Sequence, residues 1–163
     1  MSERSRDELL GLATQAAQQR RFAEAAALVD ELLAREPSHL GAHDLGGFVR
    51  FFLGEYAAAE THCRAALALR PGHPYALKGL GLCLARQGHV DQGVASLEQA
   101  IAARPDWFDP YWDLAVTLFD ARRNTEALAA LERGARAVPA QAQRAAQFAA
   151  RIRGAGTPAT RAP

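Results

Sequence analysis

Four prolines in a strict register constrain this chain more than any other feature. Pro37, Pro71, Pro105 and Pro139 follow one another at intervals of 34 residues. Because proline lacks a backbone N–H and restricts the residue before it, each one predicts the end of a helix. A fixed period of this length indicates that one supersecondary unit is repeated along the chain.

Other positions of the same 34-residue frame agree with the prolines. Positions 8 and 20 are always small and position 24 is apolar, which favours two helices that approach closely. The turn position 15 holds Gly54 and Gly88 in the middle repeats, and Arg20 and Arg122 in the outer ones. The residues are Ala13, Gly47, Gly81 and Ala115 at position 8, Ala25, Ala59, Gly93 and Ala127 at position 20, and Val29, Cys63, Leu97 and Leu131 at position 24.

This pattern resembles the tetratricopeptide repeat, whose period is also 34 residues. The resemblance covers about residues 6–141 and divides them into repeats 6–39, 40–73, 74–107 and 108–141. It implies an all-α fold, a right-handed α-solenoid of antiparallel helix pairs. Arg50 departs from the family pattern, because position 11 usually holds a large apolar residue.

The expected helices span about 4–19, 22–35, 39–53, 56–69, 73–86, 89–103, 107–120 and 123–137, with Ser38 and Asp106 as N-caps. A further segment follows the fourth repeat, with Phe148 and Ile152 four residues apart. It predicts a capping helix over 140–153 that covers the apolar face of the last repeat. Residues 1–153 are therefore expected to form one domain. Residues 154–163 are rich in Gly, Pro, Thr and Ala and predict a disordered tail.

The sequence contains no motif that is typical of an enzyme active site or of a metal or cofactor site. Its five histidines show no spacing of the kind that zinc sites use, and no phosphate-binding loop or nucleophile motif occurs. We therefore expect no enzyme activity, no metal and no cofactor.

The formal net charge of +1 gives no general attraction to nucleic acid. After Glu132 the chain holds six arginines and no acid. This basic end is interpreted as solvated, or alternatively as a contact for an acidic partner surface.

Cysteine content and apolar runs indicate the compartment. Cys63 and Cys83 both fall within apolar helical pattern, which suits reduced thiols. The N-terminus lacks the apolar run of a signal peptide, and no window is long enough to predict a membrane span. A cytoplasmic protein is expected, and heavy use of Ala and Arg suggests a bacterial one.

The resemblance also implies a concave groove. In proteins that this chain resembles, positions 2, 5, 9, 12 and 13 of each repeat face that groove. The predicted groove residues are Asp44, Phe48, Phe51 and Phe52 in repeat two, Tyr75, Lys78, Leu82 and Arg86 in repeat three, and Asp109, Trp112, Val116, Phe119 and Asp120 in repeat four. Exposed aromatic side chains in a groove are typical of binding hot spots.

Function is predicted from this groove. Family members that bind a C-terminal carboxylate use Lys, Asn and Arg at set positions, and neither possible window of this chain supplies that clamp. The aromatic and charged lining instead suits an apolar or amphipathic segment of a protein partner, with some positive charge. We expect a non-enzymatic interaction module, and the alternatives are a self-assembling scaffold (a homo-oligomer) and a secretion-type chaperone that holds an apolar export substrate.

Overall fold

The computed structural model describes residues 4–155, which form nine α-helices and one short 3-10 turn. The helices are α1 Arg6–Gln18, α2 Phe22–Arg35, α3 Leu40–Phe52, α4 Tyr56–Leu69, α5 Pro74–Arg86, α6 Val90–Ala103, α7 Asp109–Asp120, α8 Asn124–Ala137 and α9 Ala142–Ala155. The 3-10 turn Pro139–Gln141 precedes α9. The all-α prediction is confirmed, and the eight predicted helices of the repeats lie within one or two residues of the observed ones.

Each helix packs on its neighbours in sequence, which stacks four antiparallel pairs into a solenoid. The first helices of successive repeats, α1, α3, α5 and α7, also contact one another. Helices on the inside of a curved array lie closer together than those on the outside. The first helices therefore line the concave face.

The small residues at positions 8 and 20 allow the close approach of paired helices. A Cβ placed on Gly93 would lie 2.6 Å from the carbonyl oxygen of Gly81, so α5 and α6 touch backbone to backbone. At the equivalent positions of the other repeats, Ala25, Ala59 and Ala127 are fully buried. Burial of each larger apolar neighbour contributes roughly 1.5–3 kcal/mol.

The turns between paired helices share one backbone conformation. Position 15 has φ values of +78° at Gly54 and +88° at Gly88, and the outer repeats place Arg20 and Arg122 at +60° and +63°. The left-handed conformation is natural for glycine and unfavourable for arginine. The outer repeats therefore keep the turn geometry without its preferred residue.

The predicted N-caps Ser38 and Asp106 are wrong. The cap of α3 is His39, whose Nδ1 accepts a hydrogen bond from the backbone N–H of Ala42 at 3.1 Å. Helix α7 begins after Phe108, which caps it with no side-chain hydrogen bond. The Phe108 ring is instead buried in the core formed by the last helices.

Helix α9 covers the end of the last repeat. Its buried face consists of Ala145, Phe148, Ala149 and Ile152, which join the core formed by α7 and α8. The predicted span of 140–153 is displaced by two residues, and Gly154 and Ala155 belong to the helix instead of to a tail. The rest of the predicted tail lies outside the described residues.

Candidate functional site

A cavity of about 300 Å³ opens on the concave face, between α3, α5 and α7. Ten of the thirteen predicted groove residues line it: Asp44, Phe48, Phe51, Phe52, Tyr75, Lys78, Leu82, Arg86, Trp112 and Val116. They lie one or two turns apart on three neighbouring first helices, which is why residues distant in sequence converge here.

One end of the cavity is an aromatic cluster on α3. The Phe52 side chain is 52% exposed, although its ring stacks on Phe22 at 5.1 Å and meets Phe48 at 4.8 Å. Phe51 lies edge-on to Phe52, with the Arg86 guanidinium 5.9 Å from its ring centre. The rings thus fix one another's positions and still present apolar surface to solvent. We call Phe48, Phe51 and Phe52 the aromatic end. Phe22 on α2 supports these rings from outside the cavity lining, and sequence reasoning missed this contact.

The floor of the cavity is a buried thiol beneath two glycines. A Cβ on Gly79 would lie 2.8 Å from Cys63 Sγ, and one on Gly47 would lie 3.0 Å from it. A hydrogen bond with Cys83 and burial both raise the pKa of Cys63. The thiol is therefore neutral at physiological pH and adds to the apolar floor.

The opposite end of the cavity is polar, and we call it the acidic end. Asp44 Oδ2 accepts a hydrogen bond from His73 Nε2 at 2.8 Å. The Lys78 ammonium lies 3.0 Å from Asp113 Oδ2. Burial raises the pKa of Asp113, and the charge of Lys78 offsets part of that effect. Asp113 was not among the predicted groove residues, although its i, i+4 spacing from Asp109 places both on one face of α7.

A stacked aromatic pair stands beside the acidic end. Tyr75 is 39% exposed, and its ring lies nearly parallel to that of Trp107, with centroids 6.3 Å apart. The Lys78 ammonium and the Arg104 guanidinium lie 5.5 Å and 5.2 Å from the Trp107 ring centre. Sequence reasoning missed Trp107 because it precedes α7. The available signal was its frame position, which it shares with His39 and His73 in the inter-repeat loops.

Three predicted groove residues lie outside this cavity. Asp109 and Asp120 are exposed at the two ends of α7, and Asp120 lines a separate hollow of about 200 Å³. Phe119 turns toward the cap and packs edge-on against Phe148, with centroids 5.9 Å apart. Trp112 lines the cavity and also contacts Phe148, so it belongs to both groove and core.

Two histidines lie close together, but they do not form a metal site. His43 and His62 approach each other with their Nδ1 atoms 3.2 Å apart, and His43 Nε2 donates to the Pro37 carbonyl at 2.8 Å. Within residues 4–155, no three His, Cys, Asp or Glu side chains gather in a way that could hold a metal ion. Over the same residues, no helix has the length and apolar character needed to cross a membrane.

Comparisons with known proteins agree with this geometry. The family model described as tetratricopeptide repeat matches residues 53–112, and a second model with the same description matches residues 84–142. Together they span residues 53–142, more than half of the chain. A comparison with curated protein sequences finds no match.

Solved structures show the same fold. MamA superposes with a TM-score of 0.74 at 19% identity, over 85% of this chain and 81% of that one. A thermophilic tetratricopeptide repeat protein of Thermus thermophilus gives 0.72 at 18% identity, over 80% and 73%. The Thermobaculum terrenum O-GlcNAc transferase gives 0.75 at 27% identity, over 83% of this chain but only 27% of the transferase.

Proposed function

Because this chain belongs to the tetratricopeptide repeat family, whose fold is that of a protein-interaction or scaffold module, we propose that its concave groove binds a segment of a protein partner. The segment is apolar or amphipathic and binds as a helix or an extended peptide. No catalytic step is part of this proposal. The rigid helix stack offers a preformed surface, which reduces the ordering that binding requires.

The observation that carries the proposal is the exposed aromatic end. Phe48 and Phe52 are 37% and 52% exposed, although each ring is braced by other rings. Aromatic side chains held in position lose little conformational freedom on binding and remove a large apolar area from water. Leu82 and Val116 continue this apolar lining toward α7.

A random 12-residue peptide library displayed on phage tests the proposal, with this chain immobilised. Selected peptides should share large apolar residues, at i and i+3 or i+4 if they bind as a helix and at i and i+2 if they bind extended. Their affinity, measured by fluorescence anisotropy, should fall about tenfold or more in a Phe48→Ala/Phe52→Ala variant. Trp112 is left intact in this test because it also packs on the capping helix.

The matched control is Leu53→Ala/Leu69→Ala, which removes two similarly exposed apolar side chains outside the cavity. Peptide affinity should be unchanged in this variant, and helical circular dichroism should be unchanged in both. Peptides that bind equally well to the groove variant would refute the groove as the binding site.

Other occupants of the groove give different results. Light scattering over a concentration series would show a growing mass if another copy of this chain filled the groove, as in a self-assembling scaffold. A secretion-type chaperone would use the same groove and differ only in its partner, an apolar export substrate.

A cytoplasmic location completes the proposal. It is suggested by the two cysteines, which lie in apolar helical pattern, and cell fractionation tests it.

A further inference from the structure

We propose that the acidic end of the groove selects a basic side chain, arginine or lysine, within the bound segment. This inference rests on the proposed function above and specifies the chemistry of the partner. The partner would then carry a cationic residue beside the apolar residues that contact Phe48 and Phe52. The aromatic end would provide affinity, and Asp44 and Asp113 would provide specificity.

Asp44 has one carboxylate oxygen without a hydrogen-bond partner among the described residues. Its Oδ2 accepts a hydrogen bond from His73, while its Oδ1 is buried and has no hydrogen-bond partner among the described residues. A buried carboxylate oxygen without a donor is unfavourable, because it has lost water and gained nothing in return. Since Asp44 lines the cavity, rotation of its carboxylate would bring this oxygen to the cavity surface, where a donor from a ligand can satisfy it.

The charges around the cavity favour a cationic donor. Asp44 and Asp113 both line it, Lys78 pairs with Asp113, and Arg86, the other lysine or arginine of the lining, lies over Phe51 at the aromatic end. Asp44 is therefore the carboxylate of this lining without a lysine or arginine partner. The negative charge of Asp109 also acts on Asp113, while Arg144 acts on it from the capping helix. The Arg144 guanidinium lies over the Trp112 ring at 4.2 Å and is not part of the cavity lining.

The aromatic wall beside these carboxylates suits the stem of a long basic side chain. Tyr75 lines the cavity and is held by stacking on Trp107, and its exposed ring offers apolar surface to that stem. Arginine and lysine bury their methylene stems along such surfaces and keep the charged group at a polar site. The apolar ring surface and the Asp44 carboxylate therefore both favour a basic residue over a neutral amide at this end.

Phage selection on the wild type and on Asp44→Asn tests this inference. Wild-type selections should be enriched in Arg or Lys at one position relative to the apolar residues, and Asp44→Asn selections should lose that enrichment and keep the apolar pattern. A selected peptide and its Arg→Gln or Lys→Gln counterpart then give a direct measure. The wild type should prefer the basic peptide by about tenfold, the size expected for one hydrogen bond between charged groups.

Variants separate specificity from folding. Asp44→Asn and Asp113→Asn are nearly isosteric, and each should reduce the preference for the basic peptide. Asp120→Asn, an exposed change outside the cavity, should keep it. The preference should also weaken with added salt.

The two proposals fail in different ways. Peptides that require Phe48 and Phe52 but show no basic preference would overturn this inference and leave the groove proposal standing. Peptides that bind without those two rings, or a library with no binders, would overturn both.

Discussion

The ring centroids of Trp112 and Phe148 lie 4.9 Å apart, so a groove residue of the last repeat also holds the capping helix. The Arg144 guanidinium covers the same indole ring, and Phe119 meets Phe148 from the side. In the last repeat, part of the concave aromatic surface is therefore in contact with the capping helix. The rings of the aromatic end contact Phe22 and Tyr56 instead of the capping helix, which makes them the cleaner place to test binding.

This contact predicts a large loss of stability for Phe148→Ala. The side chain is only 6% exposed, and its removal leaves a cavity under α9. The free energy of unfolding should fall by about 3–5 kcal/mol in urea denaturation. Gln147→Ala, an exposed change on the same helix, should alter it by less than about 0.5 kcal/mol. Equal effects of the two changes would show that α9 does not pack as described.

Gly93→Ala should destabilise the protein, although alanine is the better helix former. The new Cβ would lie 2.6 Å from the Gly81 carbonyl oxygen and 3.0 Å from the Ala85 nitrogen, and backbone atoms cannot turn away. The expected loss is about 1–3 kcal/mol by chemical denaturation. Gly11→Ala is the control, because nothing lies within 4 Å of its Cβ position in α1. It should gain about 0.5–1 kcal/mol, and the opposite ranking would exclude close α5–α6 contact.

Arg122→Gly should stabilise the fourth repeat. Arg122 has φ of +63°, a conformation that costs an L-residue about 1–2 kcal/mol and glycine almost nothing. Part of this gain is lost because glycine is more flexible in the unfolded chain, so a rise of about 0.5–1 kcal/mol is expected. Gly88→Ala, at φ of +88° in the equivalent turn, should lower stability. Thermal melting of both variants checks the signs, and a fall for Arg122→Gly would contradict the argument.

Acidification should destabilise the second repeat through His62. Burial lowers the pKa of His62, and the neighbouring His43 and Arg50 act in the same direction while Asp30 opposes them. The unfolded chain then binds the proton more readily than the folded one, so stability is full above the unfolded pKa and is lost as pH falls toward the folded pKa. The melting temperature should therefore drop between about pH 7.5 and about pH 5.

A His62→Gln variant should show a smaller drop in melting temperature over the same range. His89→Gln, an exposed change, should behave like the wild type. An identical pH dependence in His62→Gln would show that His62 is not the group whose protonation destabilises the fold.

The groove could be predicted from the sequence in outline, and its two ends could not. Repeat positions place Phe48, Leu82 and Val116 on one face, and all three line the same cavity. Trp107 was missed because a side chain in a loop follows no helical period. Phe119 was assigned to the groove, but the capping helix lies beside it and offers its ring a buried partner.

The surroundings of Arg50 also could not be predicted from the repeat pattern. Its position usually holds a large apolar residue, yet here its guanidinium pairs with Asp30 and with Glu55. One partner lies on α2 and the other in the turn before α4, and the sequence frame alone does not identify them.

The sequence by itself determined the helix pairs, their boundaries to within one or two residues and the order in which they stack. Each of these depends on local rules: proline ends a helix, small residues allow close approach, and apolar residues four apart form one face. The tertiary structure alone decided which polar atoms meet, such as Asp44 with His73 and Lys78 with Asp113. These contacts depend on how far each repeat turns relative to the next. Many weak packing contacts together determine that rotation, and no single position in the 34-residue frame determines it.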